Sequence, residues 1–395
     1  MRIQRAYYQN IKKRLEEPRR FIQVLYGARQ VGKTTLIRQI LDDIDIPYLF
    51  ETADEIEGFD SVWLKKLWNR ARQKLKQSGA AEFLLVVDEV QKISNWSEIV
   101  KKEWDDDTFE SVPLKVVLLG SSSLLIQRGL TESLAGRFET IPIPHWSYQE
   151  MRDAFGFTVD QYIWFGGYPG PAELINDEMR WKRYVKTSLV DTSLTRDVLL
   201  MNKIEKPALL RRLFEIGASY SAHILSLNKV QGELMERGNL TTLSDYLRLL
   251  DYAGLLCGLE KYCGDIIRKR ASQPKFQVYN NALMSYLSEK TFGQAKADSS
   301  HWGRMFESAV GAHLLNCSFT DDYNVLYWNE GSREVDYVIQ KGSRLVAIEV
   351  KSGIDSANLG MAIFDKKFHP DRMYNIGTDG IPMEDFLLMN PSDLF

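Results

Sequence analysis

Phe21-Ile22-Gln23-Val24-Leu25-Tyr26 runs directly into Gly27-Ala28-Arg29-Gln30-Val31-Gly32-Lys33-Thr34, and Thr35-Leu36-Ile37-Arg38-Gln39-Ile40-Leu41 follows without a break. The first six residues read as a buried strand, and the next eight match G-x-x-x-x-G-K-[ST]. Beyond them Leu36, Ile37, Ile40, Leu41 and Ile44 form one helical stripe. Strand, glycine loop and amphipathic helix in that order are the context the motif requires. Glycines let the backbone curl until successive N–H groups point at phosphate oxygens, and the following helix adds its positive N-terminus. The spacing therefore predicts a phosphate cradle from Gly27 through Gly32. Lys33 is expected to reach β- and γ-phosphates, Thr34 to offer its hydroxyl to Mg²⁺, and Thr35 to touch an α-phosphate.

A nucleotide hydrolase also needs a metal-holding acid and a base. Phe83-Leu84-Leu85-Val86-Val87-Asp88-Glu89 is an apolar strand that ends in two adjacent carboxylates. Asp88 is expected to hold Mg²⁺ and Glu89 to polarise the attacking water. A further apolar run, Lys115 to Leu119, ends in Gly120-Ser121-Ser122-Ser123, where Ser121 or Ser122 either senses the γ-phosphate or caps a helix. Arg137, in Leu134-Ala135-Gly136-Arg137-Phe138, either acts on phosphate charge or forms an ordinary ion pair. Ser147-Tyr148-Gln149-Glu150 has the S-x-x-E form of a capping box and is expected to start a helix at the end of this core.

The chain is 395 residues long, enough for two to three domains at about 150 residues each. Its 50 Lys and Arg against 53 Asp and Glu leave a net charge of -3, so any nucleic-acid contact must come from a local patch. Cys257, Cys263 and Cys317 fit neither a disulfide scaffold nor a metal cluster. Met1 to Arg20 is basic, with seven Lys or Arg against Glu16 and Glu17, and lacks the apolar stretch of a signal peptide. No apolar run approaches the roughly 20 residues that cross a bilayer. A reducing cytoplasm is the expected location, without a membrane partner.

Between Lys206 and Glu260 three helical patterns follow at short spacing, Leu209-Leu213-Ile216, Val230-Leu234 and Leu240-Leu243-Leu247-Leu250, an order that suits a helix-turn-helix with a hairpin wing after Leu256. The side chains expected to be exposed on the third helix, Thr242, Ser244, Asp245, Arg248 and Asp251, carry one base against two acids. That balance favours packing on protein over reading bases. The segment Cys263 to Lys275 holds Arg268, Lys269, Arg270 and Lys275 against Asp265, and reads either as a phosphate contact or as a solvated linker. Trp63, Trp68, Trp96 and Trp104 lie mostly at helical spacing and are expected in the core or an interface, not as base-stacking platforms.

Arg333 to Gln340 and Leu345 to Lys351 alternate with period two around Lys341-Gly342-Ser343-Arg344, the pattern of a β-hairpin. Alternation puts Glu349 and Lys351 on one side with Leu345 and Ala347. Asp336 lies on the partner strand and Glu307 on a preceding helix, Gly303 to Leu315. In an E…D…E-x-K set of this kind Asp336 and Glu349 would hold one or two divalent metals, Mg²⁺ or Mn²⁺. Lys351 would position a water and Glu307 would complete the shell.

Taken in order, YGARQVGKTTL (Tyr26 to Leu36), LLVVDEVQK (Leu84 to Lys92), LLGSSSLL (Leu118 to Leu125), SLAGRFE (Ser133 to Glu139), FGGYP (Phe165 to Pro169), TTLSDYLRLLDYAGLL (Thr241 to Leu256) and EVDYVIQKGSRLVAIEVKSG (Glu334 to Gly353) resemble a prokaryotic family. This is the group of AAA+-type ATPases with a P-loop domain followed by a DUF4143 C-terminal region. The resemblance implies an α/β protein: an ASCE-type parallel sheet over residues 1–150 and a helical lid over 151–205. A winged-helix module over 206–265 follows, then a linker and hairpin over 266–300 and a PD-(D/E)XK nuclease-like domain over 301–395. FGGYP resembles an element that packs near adenine, so Gly167 and Pro169 are either nucleotide contacts or a tight turn. Asn280-Asn281-Ala282 departs from the Asp-x-Gly of many relatives. Three functions follow from these expectations: an ATP-driven switch with Mg²⁺, a metal-dependent nuclease under ATPase control, or a non-cleaving ATP-binding scaffold for a protein or nucleic-acid partner.

Overall fold

The structure, a computed structural model, describes residues 3–55, 61–121, 134–195, 204–233, 239–264, 272–353 and 359–395. These fall into two compact units, Met1–Ile143 and Pro144–Phe395.

In the first unit, short apolar runs alternate with amphipathic helices: α1 (Tyr8–Glu16), β1 (Ile22–Tyr26), α2 (Lys33–Leu41), β2 (Tyr48–Thr52), α3 (Ser61–Ser78), β3 (Phe83–Asp88), α4 (Trp96–Phe109), β4 (Leu114–Gly120) and β5 (Phe138–Pro142). Every strand pairing is parallel, in the order β2-β3-β4-β1-β5. Such a sheet is covered on both faces, which is why its strands read as nearly unbroken apolar runs. On one face Ile22, Val24, Leu85, Val87 and Leu118 pack with Trp68, Trp96 and Trp104, as expected for the tryptophans. On the other, Leu25, Leu84, Val86, Val117 and Leu119 pack with Ile11 and Leu15 of α1 and Ile37 and Ile40 of α2. β3, β4 and β1 are neighbours in this parallel sheet, so their carboxyl ends lie side by side.

The second unit begins at Pro144. The capping box at Ser147 forms in both directions and opens α5 (Tyr148–Phe155), which lies within this unit. The Tyr148 hydroxyl donates to Glu384 at 2.6 Å, far along the same unit. Next come α6 (Val159–Phe165) and α7 (Glu178–Tyr184), followed by a π-helical stretch over Val185–Val190.

A helix-strand-helix-helix-strand-strand order follows: α8 (Pro207–Ser219), β6 (His223–Ile224), α9 (Leu227–Glu233), α10 (Leu240–Tyr252), β7 (Leu256–Leu259) and β8 (Lys275–Val278). The strands form an antiparallel sheet in the order β6-β8-β7. Because β8 is its middle strand, this module extends past residue 265 into the segment read as linker. Arg268, Lys269 and Arg270 lie outside the described residues, as does Leu234.

Short helices α11 (Ala282–Ser285) and α12 (Phe292–Ala297) lead to the long α13 (Ser299–Asp321), then β9 (Asn324–Glu330), β10 (Arg333–Lys341), β11 (Arg344–Lys351), α14 (Leu359–Phe368), β12 (Arg372–Gly377) and α15 (Met383–Leu388). The sheet order is β12-β11-β10-β9, with β12 parallel to β11 and the rest antiparallel. The hairpin expected at residues 333–351 is present, with Lys341 opposite Arg344 and Gly342 left-handed at φ +62°. Leu345 and Ala347 lie under α14 through Phe364, while Val346 and Ile348 are equally buried on the opposite side. No helix among the described residues is long and apolar enough to cross a membrane.

Candidate functional site

The glycine loop joins β1 to α2. A Cβ on Gly27 would lie 2.1 Å from the Ile143 carbonyl oxygen, so only glycine lets the chain pass there. Gly32 caps α2 in the left-handed region at φ +88°, and Gln30 is left-handed at φ +57° without being glycine. Strained backbone of this kind is held only where its surroundings over-determine it. Arg5, near the N-terminus, donates to the Val31 carbonyl at 2.7 Å and fixes the loop from outside. Ala28 and Val31 are buried, Arg29 is half-buried, and Thr35 faces outward on the first turn of α2. Lys33 is buried and donates to the Gly27 and Ala28 carbonyls at 3.0 and 2.8 Å, so its ammonium lies inside the curl of the loop.

The Thr34 hydroxyl donates to Asp88 Oδ2 at 2.7 Å, and the Glu89 N–H donates to Asp88 Oδ1 at 2.9 Å. Burial raises the Asp88 pKa, while the Thr34 hydrogen bond pulls it back down. Glu89 is left-handed at φ +53°, a kink that turns its carboxylate away from Asp88 and toward β4. There Glu89 Oε2 accepts from Gln91 Nε2 at 2.5 Å and from the Ser121 hydroxyl at 3.1 Å, and Gln91 also donates to Ser121 at 3.2 Å. Ser122 lies outside the described residues. The sequence reading missed Arg5 and Gln91, since neither stands in a phosphate motif.

Arg137 lies just before β5 and forms a two-pronged ion pair with Asp105, at 2.7 and 3.0 Å. In the second unit the Gly167 N–H donates to Asn280 Oδ1 at 3.1 Å, and a Cβ on Gly167 would meet the Trp146 carbonyl oxygen at 2.0 Å. Pro169 is half-buried beyond it, its carbonyl accepting from Ala172 at 3.3 Å. Asn281 donates to the Ile163 and Met305 carbonyls, both at 2.8 Å. Asn281 thus ties α6 to α13 with amide N–H donors that an aspartate lacks.

In the C-terminal constellation Glu307 of α13 and Asp336 of β10 come together, and Glu334 joins them, all three offering carboxylate oxygens within 4.8 Å of one another. Lys275 of β8 enters the same group. Its Nζ donates to Glu307 Oε1 at 2.6 Å, to Glu334 Oε1 at 3.0 Å and to the Asp336 carbonyl at 3.0 Å. The expectation that Lys275 belongs to a solvated or phosphate-contacting basic segment is therefore corrected: its side chain is 0% exposed, because β8 is the middle strand of its sheet. Burial pulls the Lys275 pKa down, but Glu307 and Asp336 carry it well above its usual value. Burial likewise raises Glu307 and Asp336. Asp336 Oδ2 accepts the Val350 N–H at 2.7 Å. Glu349 is close enough that its charge adds to the raising of Glu307. Lys351 ends β11 opposite Gly377 of β12 and is half-buried.

Residues 19–152 match the model of an AAA domain, residues 156–293 that of a domain of unknown function, DUF8612, and residues 302–379 that of another, DUF4143. No curated protein matches the chain. Solved structures similar to it include the Walker-type ATPase of Pyrococcus abyssi, 14% identical, covering 71% of this chain and 94% of that one with a TM-score of 0.44. The RuvB Holliday junction branch migration motor of Thermotoga maritima is 17% identical over 64% and 86%, with a TM-score of 0.33. The Orc1 protein of Aeropyrum pernix, in complex with DNA, is 14% identical over 73% and 92%, with a TM-score of 0.31.

Proposed function

We propose that this chain, which carries an AAA domain followed by a DUF4143 domain, is an Mg²⁺-dependent ATP hydrolase that works as a nucleotide-driven switch. The observation that carries the reading is the bond from Thr34 to Asp88, which brings a P-loop hydroxyl and a strand-end carboxylate to one point beside Lys33. A glycine cradle that admits no Cβ at Gly27 and an oxygen donor pair of this type suit a phosphate and its magnesium. Bound Mg²⁺ neutralises phosphate charge. Thr34 and Asp88 would hold it, and Lys33 would exchange the Gly27 and Ala28 carbonyls for phosphate oxygens. Glu89 would orient the attacking water and take its proton, held to that line by Gln91 and Ser121. Thr35 is kept as a nucleotide contact in this reading, and Arg137 as a charge on the phosphates once it leaves Asp105.

The order of α8 through β8 supports a winged-helix module that packs on protein. Its one basic side chain on the outer face of α10, Arg248, is already paired with Asp245 at 2.9 Å. The C-terminal domain is read as PD-(D/E)XK nuclease-like in fold, on the gathering of Glu307 and Asp336 with Glu349 near enough to act on Glu307. We place the protein in a reducing cytoplasm, consistent with its free Cys257, Cys263 and Cys317.

The test is ATP turnover and nucleotide binding by purified wild type and Lys33→Ala. Turnover that depends on Mg²⁺ in the wild type and is lost in Lys33→Ala is the expected result. Undiminished turnover in Lys33→Ala would overturn the reading.

A further inference from the structure

The nuclease-like resemblance implies a divalent metal on Asp336 and Glu349 with Glu307 completing the shell, but where Glu307 and Asp336 meet, with Glu334, the residues do not fit one. Glu307, Glu334 and Asp336 face a common centre, and a cation already fills it. Lys275 spends all three ammonium protons on Glu307, Glu334 and the Asp336 carbonyl, at 2.6, 3.0 and 3.0 Å. Asp336 Oδ2 is taken by the Val350 N–H, and its Oδ1 lies 3.9 Å from the same ammonium.

Magnesium or manganese, held by one or two carboxylates with waters completing its shell, would compete for these same oxygens and would have to approach an ammonium fixed among them. Nor is Lys275 free to leave. Its backbone pairs with Ile224 on one side and Leu259 on the other, and its ammonium lies 4.8 Å from the centre of the Tyr337 ring. Removing the ammonium would strand buried carboxylates against one another, a costly arrangement.

We propose that Lys275 is the resident cation of this cluster, so that the C-terminal domain loads no divalent metal at Glu307, Glu334 and Asp336 and does not cut phosphodiesters by metal-activated water there. The cluster acts instead as an ion-paired pin that joins the β6-β8-β7 module to α13 and β10, and the two move as one body. This inference is independent of the ATP site, and its failure would leave the ATPase reading untouched.

The experiment uses the full chain without nucleotide, with Mn²⁺ as the probe read by electron paramagnetic resonance, beside thermal melts. Wild type is expected to show no bound Mn²⁺ that Glu307→Gln or Asp336→Asn removes. Lys275→Met is expected to melt about 5–10 °C below wild type, and adding Glu307→Gln to it is expected to recover part of the loss, because one stranded acid is gone. Wild-type Mn²⁺ binding abolished by either acid substitution overturns the proposal, as does a Lys275→Met protein that melts with wild type. The Mn²⁺ arm decides the matter whether or not Lys275→Met folds.

Discussion

The Thr34 hydroxyl donates to the Asp88 carboxylate at 2.7 Å, linking the first turn of α2 to the end of β3 across the sheet. Both side chains are oriented by this bond before any ligand arrives. Thr34→Val keeps the shape and removes the hydroxyl, so Asp88 stays buried with only the Glu89 N–H as donor and one proposed Mg²⁺ ligand is lost. Turnover is expected to fall about 100-fold or more, with a raised Mg²⁺ requirement. Mg²⁺ titration of ATP hydrolysis measures this, and a Thr34→Val enzyme with the wild-type Mg²⁺ profile would refute the assignment.

Glu89 presents the complementary case, a carboxylate held by Gln91 and Ser121 at 2.5 and 3.1 Å. Glu89→Gln preserves size and removes the base, so nucleotide should still bind while turnover drops by about 10²–10⁴. Gln91→Ala should cost less, about tenfold, because Gln91 positions Glu89 and does not touch the water. The distinguishing readout is the split between kcat and KM: Gln91→Ala should lower kcat and leave the KM for ATP unchanged. A loss carried by KM instead would reduce Gln91 to a packing role.

How much of this was legible in the sequence depended on distance along the chain. The proposed nucleotide site is written in contiguous strings, Gly27 to Thr35 and Phe83 to Glu89, because a phosphate cradle is a local backbone shape. The hairpin of β10 and β11 was equally readable from its period of two. Lys275 was not: its acid partners lie 32 and 59 residues away, and next to Arg268 and Lys269 it looks like one more surface base. Asp251 failed the same way. It was expected on an exposed helix face, yet it accepts a bond from Tyr279, 28 residues on. Both errors share a cause, since helical and strand periodicity assign a face but not what a neighbouring element brings to it.

Gly27 and Gly32 test whether the loop needs glycine for space or for dihedral freedom. At Gly32 the need is conformational, at φ +88°, and alanine should cost about 1–2 kcal/mol. At Gly27 a methyl group would sit 2.1 Å from the Ile143 carbonyl oxygen, and the neighbour is backbone that cannot swing aside. Gly27→Ala must therefore displace the chain after β5, at a cost of about 3 kcal/mol or more. Melting curves without nucleotide should rank wild type above Gly32→Ala and Gly32→Ala above Gly27→Ala. Equal melting of the two variants would mean that the chain after β5 yields easily.

Asp251 provides a pH test within the second unit. Its carboxylate accepts the Tyr279 hydroxyl at 2.5 Å, yet burial pushes its pKa up from 3.8 to about 6, the hydrogen bond offsetting only part of the shift. A carboxyl whose folded pKa exceeds its unfolded one binds its proton more tightly in the folded state. Its contribution is therefore fully present below about pH 4 and is lost as pH rises through about 6. Above that window the folded protein carries a buried charge, and Asp251→Asn removes it while leaving an acceptor for Tyr279. The variant should be about 1–2 kcal/mol more stable than wild type at pH 7.5, allowing for the weaker bond to a neutral amide. At pH 4 the gap should close, because the wild-type carboxyl is then protonated. Denaturant melts of both proteins at the two pH values measure the difference, and a gap that does not change with pH would show that Asp251 is ionised at no cost.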